Sequence, residues 1–244
     1  MKILLLPGLD GTGALFQQFL KLLPSNLPTQ VCPLPAEGDQ RPTHLAASIA
    51  ATGLCNEDVI IIAESFSGRV AYELAQLHDH RIKCLILVSS FLTVPRLLLR
   101  LARWLPVRLF PWHWSPAWAL RWFCVGPDAS DELVQRLQQT IGSVATSTIA
   151  DRIKVLSELD APRENIPVPC LYLQPTDDRL VPKSHAEKIR KLCQNLKVEV
   201  IPGPHFLLQA NPEACVAPVL AFIGLITRSG TGSSSADAPD DRCT

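Results

Sequence analysis

Ser65 stands in Ile62-Ala63-Glu64-Ser65-Phe66-Ser67-Gly68, between a buried-strand pattern and a helix pattern. A serine on a sharp strand-to-helix turn is held out of the sheet, within reach of a general base. Backbones pass so closely there that small residues are needed two before and two after it. Around Ser65 these positions hold Ala63 and Ser67; around Ser67 they would hold Ser65 and Arg69, and Arg69 is too large. Ser65 is therefore the candidate nucleophile. Such a serine needs a base, and the base needs an orienting acid. In chain order the acid should follow a later strand and the histidine the last one. Asp177 and Asp178 follow Leu171-Tyr172-Leu173-Gln174, and His205 follows Val198-Glu199-Val200-Ile201. The three residue types come in the required order, each at the carboxyl end of a predicted strand. The chemistry they point to is acyl transfer through a covalent serine intermediate.

The first predicted strand ends in Pro7-Gly8-Leu9-Asp10-Gly11-Thr12-Gly13. Its glycines are not in G-x-G-x-x-G register and no Gly-Lys-Ser/Thr follows, so nucleotide phosphate binding is unsupported. A glycine-rich turn beside a nucleophile can instead supply a backbone amide to an oxyanion. The N–H groups of Leu9 and Phe66 are the expected pair, reinforced by the positive end of the helix after Ser65. His44, His78, His80, His113 and His185 fit the order less well and read as structural or surface residues.

These residues need a framework, and the hydrophobic pattern supplies one. Short apolar runs at Ile3–Leu6, Gln30–Leu34, Asp58–Ala63, Ile82–Val88, Pro169–Gln174 and Lys197–Ile201 read as buried strands. Between them lie helical patterns at 14–23, 43–54 (Thr43 as N-cap, Gly53 near the end), 67–78, 184–194 and 212–226. Strands alternating with helices predict an α/β fold: a mostly parallel sheet of about six strands with helices on both faces. The rhythm breaks between 91 and 160, which read as a helical insertion capping the carboxyl ends of the strands, where ligands bind in such sheets. The expected organisation is a core of 1–90 and 161–227, a helical cap at 91–160, and a disordered Ser/Gly/Asp/Pro-rich tail at 228–244.

Composition narrows the function classes. Lys+Arg and Asp+Glu each total 23 of 244 residues, so a globally basic nucleic-acid binder is disfavoured. The 47% hydrophobic content excludes a disordered chain. The 8 cysteines are scattered through apolar runs, with no CxxC or zinc-type spacing, and read as reduced core residues. The apolar run after Met1 stops at Pro7-Gly8, too short for a signal peptide, and no stretch is long enough to span a membrane. A cytoplasmic enzyme is the expectation.

The chain resembles the α/β-hydrolases over nearly all of residues 1–226. The resemblance rests on the Pro-Gly turn after the first strand, Glu64-Ser65-Phe66-Ser67-Gly68, Asp178-Arg179-Leu180-Val181-Pro182, and His205 followed by Asn211-Pro212-Glu213. LLLPGLDGTG with ESFSG is similar to a bacterial branch of esterase/lipase-like α/β-fold hydrolases, and more distantly to plant esterase/acyltransferase proteins acting on lipid acyl groups. The resemblance implies a Ser65–Asp178–His205 triad, because an acid three residues before a Val-Pro pair is the family's usual register; that selects Asp178 over Asp177. It implies no metal and no cofactor. The chain departs from the family at Pro7-Gly8, where His-Gly is usual, at Ala63 and Ser67, where the elbow has glycines, and in lacking two antiparallel edge strands.

Trp104, Trp112, Trp114, Trp118 and Trp122 all fall within the insertion, with Arg96, Arg100, Arg103, Arg108 and Arg121, and no acid lies between Phe91 and Val125. Trp104, Trp112 and Trp118 are the expected wall of an apolar substrate pocket. Most of these tryptophans and the insertion's leucines read as packing the cap onto the sheet and the arginines as solvated, with a contact to an anionic membrane surface or an acyl carrier as the alternative. The expected function is hydrolysis of a small lipophilic ester or thioester. The rivals are an acyltransferase with an alcohol acceptor, a peripheral membrane lipase, and a non-catalytic ligand-binding protein.

Overall fold

A computed structural model of the chain describes residues 1–77, 80–95 and 115–231. Six strands form one parallel sheet: β1 (Lys2–Leu6), β2 (Thr29–Val31), β3 (Val59–Glu64), β4 (Ile82–Val88), β5 (Cys170–Pro175) and β6 (Leu196–Ile201), in spatial order β2-β1-β3-β4-β5-β6. The helices are α1 (Gln17–Leu22, preceded by a 3₁₀ turn at Ala14–Phe16), α2 (Pro42–Ala51), α3 (Ser67–Leu77), α4 (Ala117–Leu120), α5 (Asp131–Gly142), α6 (Thr146–Ser157), α7 (Ser184–Arg190), α8 (Leu207–Ala210) and α9 (Pro212–Thr231).

The period-2 alternation of strand side chains splits the core between the two sheet faces. Leu4, Leu6, Ile61, Ala63, Leu85 and Leu87 pack with α2, α3 and α7 through Leu45, Ile49, Val70, Leu74 and Ile189. Ile3, Leu5, Ile60, Ile62 and Ile86 pack with α1 and α9 through Phe19, Val219 and Phe222. Both faces are covered, which is why β3 is buried at every position and reads as an uninterrupted apolar run.

The strand order places the site. From β1 the chain moves outward to β2, then returns past β1 to β3 on its other side. The loops leaving β1 and β3 therefore diverge, and the crevice between them at the carboxyl edge is where such sheets bind ligands. The insertion between β4 and β5 contributes α4, a π-helical turn at Arg121–Val125, α5 and α6, and no strand among its described residues. Ser130 caps α5, its Oγ accepting from the Leu133 amide at 3.2 Å, with Asp131 and Glu132 in the favourable first turn.

Several boundaries differ from the sequence reading. α2 starts at Pro42 and is preceded by Arg41, with no side-chain cap, rather than being capped by Thr43. Proline has its φ preset and no amide to satisfy, so the first helical position suits it. α9 runs to Thr231, so 228–231 are helical rather than part of a disordered tail. Adding residues to an existing helix gains a hydrogen bond per residue without a new nucleus, and this outweighs weak local periodicity. Residues 232–244 lie outside the described residues, as do Trp104, Trp112, Trp114, His78, His113 and the arginines at 96, 100, 103 and 108.

Candidate active site

Ser65 sits between the end of β3 and the start of α3 with φ 51, in the left-handed region. A non-glycine residue there costs roughly 1–2 kcal/mol and persists only where its surroundings impose it. Here they do. The Ser65 amide donates to Val88 O at 2.9 Å, and Ser65 O accepts from the Gly68 amide at 3.1 Å. Close packing explains the small neighbours. A Cβ on Gly68 would lie 2.6 Å from Ser90 Cβ, while Ser90 Oγ donates to Ala63 O at 3.0 Å. Ser67 is fully buried, and its hydroxyl donates to Pro7 O.

His205, in the loop after β6, places Nε2 2.9 Å from Ser65 Oγ and Nδ1 2.8 Å from Asp178 Oδ2. The other Asp178 oxygen accepts from the Leu180 and Val181 amides, both at 2.8 Å. A carboxylate held by two amides and an imidazole is fixed in orientation. Asp177 is turned away, its Oδ2 accepting from Thr176 Oγ1 at 2.6 Å. The acid and histidine loops are tied together: the Thr176 amide donates to Ile201 O and the Asp177 amide to Gly203 O, both at 3.0 Å. This bracing holds Asp178 and His205 in register across two strands.

The turn after β1 runs beside Ser65. The Gly11 amide closes it on Gly8 O at 3.1 Å, with Leu9 and Asp10 between. Among the described residues neither the Leu9 amide nor the Phe66 amide donates to a backbone carbonyl. Both residues line, with Ser65 and His205, a cavity of about 320 Å³. Its far wall comes from the insertion: Leu120 and Phe123, Leu137 and Ile141 of α5, and Ile149, Ile153 and Leu156 of α6. Cys124 also lines it, but burial, helped by the Asp178 charge, pushes its thiol up to about 12, so it is no rival nucleophile.

Trp118 does not line this cavity. It is 69% exposed, and its neighbours Ala119 and Leu120 face inward instead. On a helical turn, adjacent positions lie about 100° apart, so only part of α4 faces the cavity. The pocket wall among the described residues is aliphatic and phenylalanine-rich rather than tryptophan-rich. Trp122 is outside it too, lying under the Arg179 guanidinium at 3.5 Å.

Some residues of the site escaped the sequence reading. Glu64 is buried immediately before the nucleophile, with Oε2 accepting from Gln209 Nε2 at 3.2 Å. Burial, then the charge of Asp10, raises its carboxyl to about 8, so it is neutral below that pH. An acid closing an otherwise apolar strand was the available signal. Arg152 is buried beneath the turn after β1. Its signal was a charged residue inside the apolar i, i+3, i+4, i+7 stripe of Ile149, Arg152, Ile153 and Leu156. His185, read as structural or surface, is the former: it is buried, and desolvation, then Lys188, lowers its pKa to about 4.

A parallel doubly wound sheet carrying this serine turn and histidine loop at its carboxyl edge defines an α/β-hydrolase. Residues 44–205 match the family described as "Serine aminopeptidase, S33", and the chain belongs to it. In three dimensions the chain is similar to a thermophilic esterase from Thermogutta terrifontis (TM-score 0.76, 19% identity, covering 93% of this chain and 90% of that one). It is also similar to a hydrolase from Oleispira antarctica (0.75, 16%, 91% and 90%) and to the enol-lactonase of Burkholderia xenovorans LB400 (0.75, 14%, 91% and 90%). These identities speak for the fold. Among curated proteins, none matches the chain.

Proposed function

We propose that the protein is a serine hydrolase cleaving a carboxylic ester or thioester of a lipophilic acyl group. The observation that carries this is His205 bridging Ser65 and Asp178 at the floor of an apolar cavity. His205 Nε2 takes the Ser65 proton as Oγ attacks the acyl carbonyl. Asp178 fixes the tautomer with the proton on Nδ1 and stabilises the imidazolium. The Leu9 and Phe66 amides hold the oxyanion. His205 then gives its proton to the leaving alcohol or thiol, and activates water to release the acid from the acyl-enzyme.

The aliphatic wall supports a lipophilic acyl group over a charged one. The family's description names an aminopeptidase; of the two carboxyls lining the cavity, burial raises that of Glu64, which leaves Asp10 as the one that could meet a free α-ammonium. The apolar lining of the same cavity favours a second reading, transfer of the acyl group to an alcohol, because such a lining disfavours water at the acyl-enzyme. No helix among the described residues is long and apolar enough to cross a membrane. The seven free thiols among them support a reducing, cytoplasmic setting.

The test is turnover of p-nitrophenyl esters of increasing acyl length, alongside amino-acid p-nitroanilides and ester turnover with added alcohol. Ester turnover that rises with acyl length and is lost in Ser65→Ala supports the reading. Anilide turnover without ester turnover would replace it with a peptidase, and new ester formed from the alcohol would make it an acyltransferase. Absence of turnover with all substrates, together with no labelling by a fluorophosphonate, would leave a ligand-binding protein.

A further inference from the structure

Arg152 projects from α6 of the insertion and is 1% exposed. Its guanidinium donates to three acceptors in two core segments, the turn after β1 and the loop between β2 and α2. Nη1 reaches Leu9 O at 2.9 Å, Nη2 reaches Pro35 O at 2.9 Å, and Nε reaches Gln40 Oε1 at 2.8 Å. Among the described residues no carboxylate lies within ion-pair distance of it, although the Asp10 charge faces it. A buried charge on neutral acceptors is an expensive way to seat a helix, because an apolar residue in the same stripe would pack without desolvating an ion. What the guanidinium offers instead is a planar fork that fixes several carbonyls at once.

One of those carbonyls belongs to Leu9, inside the turn that Gly11 closes on Gly8. The turn hydrogen bond fixes its two ends, and Arg152 fixes the Leu9 carbonyl between them. The Leu9 amide lies in the Gly8–Leu9 peptide, which the turn holds through Gly8 O, and Arg152 holds the next peptide through Leu9 O, so together they restrict the backbone on both sides of Leu9. Gly11, at φ 73, is what admits the guanidinium, since a Cβ there would lie 2.2 Å from Arg152 Nη1.

We propose that Arg152 is a positioning residue that sets the Leu9 amide for the oxyanion, acting from the helix that also walls the acyl pocket. The inference rests on the reading of Leu9 as an oxyanion donor. Misdirecting such a donor costs rate in the chemical step and leaves ground-state binding of an apolar acyl group nearly unchanged. A residue that only seated α6 would act the other way. Loosening Ile149, Ile153 and Leu156 would spoil the pocket and raise KM.

The experiment measures kcat and KM on a lipophilic p-nitrophenyl ester for wild type, Arg152→Ala and Gln40→Leu. Arg152→Ala should lower kcat about ten- to hundred-fold with KM within about two-fold of wild type. Guanidinium at non-denaturing concentration should restore part of that kcat and leave wild type unchanged. Gln40→Leu removes the Nε acceptor without opening a cavity, together with the Gln40 Nε2 bonds to Glu37 O and Gly38 O in the same loop, and should lower kcat about three-fold at constant KM. If Arg152→Ala does not accumulate as folded protein, Gln40→Leu decides. Wild-type kcat in the folded variants, or a raised KM at unchanged kcat, would overturn the proposal while leaving the serine-hydrolase reading intact. A wild-type protein that neither turns over esters nor labels with a fluorophosphonate would overturn both.

Discussion

The hydroxyl of Ser67 donates to the carbonyl of Pro7, sixty residues earlier in the chain. This bond joins the turn after β3 to the turn after β1, and so ties the nucleophile's loop to the loop that carries Leu9. It also commits the second serine of Ser65-Phe66-Ser67. A fully buried hydroxyl already donating to a carbonyl is not free to attack a substrate.

The two serines should therefore separate cleanly. A fluorophosphonate should add one label to wild type and to Ser67→Ala, and none to Ser65→Ala, as read by intact mass. Ser67→Ala should lose about 1 kcal/mol of stability with its hydrogen bond, measured by urea unfolding. A label that disappears with Ser67 would reassign the nucleophile.

The adjacent aspartates should also behave unequally. Asp178→Asn turns an acceptor at His205 Nδ1 into a donor or a misplaced carbonyl, and favours the wrong tautomer. It should lower kcat by about 10³–10⁴-fold with little change in KM. Asp177→Asn disturbs only the contact with Thr176 and should stay within about three-fold of wild type. Equal losses in the two variants would mean that the acid is not assigned to one residue.

Glu64 should leave a signature in stability against pH. Its folded carboxyl titrates at about 8 against an ordinary 4.5, so between these values the folded state holds a proton that the unfolded state has released. Stability from this group is therefore full below pH 4.5 and falls as pH rises through 8, by at most about 1.4 kcal/mol per pH unit. His185 has the opposite sign: neutral in the fold down to about 4, it adds stability that is lost as pH falls from 6.5. The window between 6.5 and 8 isolates Glu64. Across it Glu64→Gln should show a flatter stability profile than wild type by urea unfolding. Parallel profiles would mean that Glu64 is ionised in the folded protein.

Much of the framework was legible in the chain because its physics is local. A strand covered on both faces must be apolar at every position, so Val59-Ile60-Ile61-Ile62 announces itself, and the serine after it falls on a strand-to-helix turn. The loop at the carboxyl end of β5 could be placed for the same reason, whereas β6 is an edge strand with exposed positions and was marked only by its short Val198-Glu199-Val200-Ile201 pattern. Trp118 was not legible in this way. Its apolarity suggested the pocket, but which side of α4 faces the cavity depends on how that short helix docks, and docking is a property of the whole insertion.

Residue types, their order and the parallel sheet were thus set by composition, spacing and period, each readable within a few residues. The rest required the folded chain. That His205 meets Ser65 and that Ser67 is spent on Pro7 are facts of side-chain direction across strands; Asp178 over Asp177 was already implied by the family resemblance, and its side chain turns to the imidazole. Arg152 belongs with them: in the chain it is a charge in an apolar stripe, and only the packing of α6 beneath Gly11 and Leu9 gives that charge its three acceptors. Local patterns specify the element on which a residue lies. The partners of a buried polar group lie far away in sequence, and only tertiary packing brings them within hydrogen-bond reach.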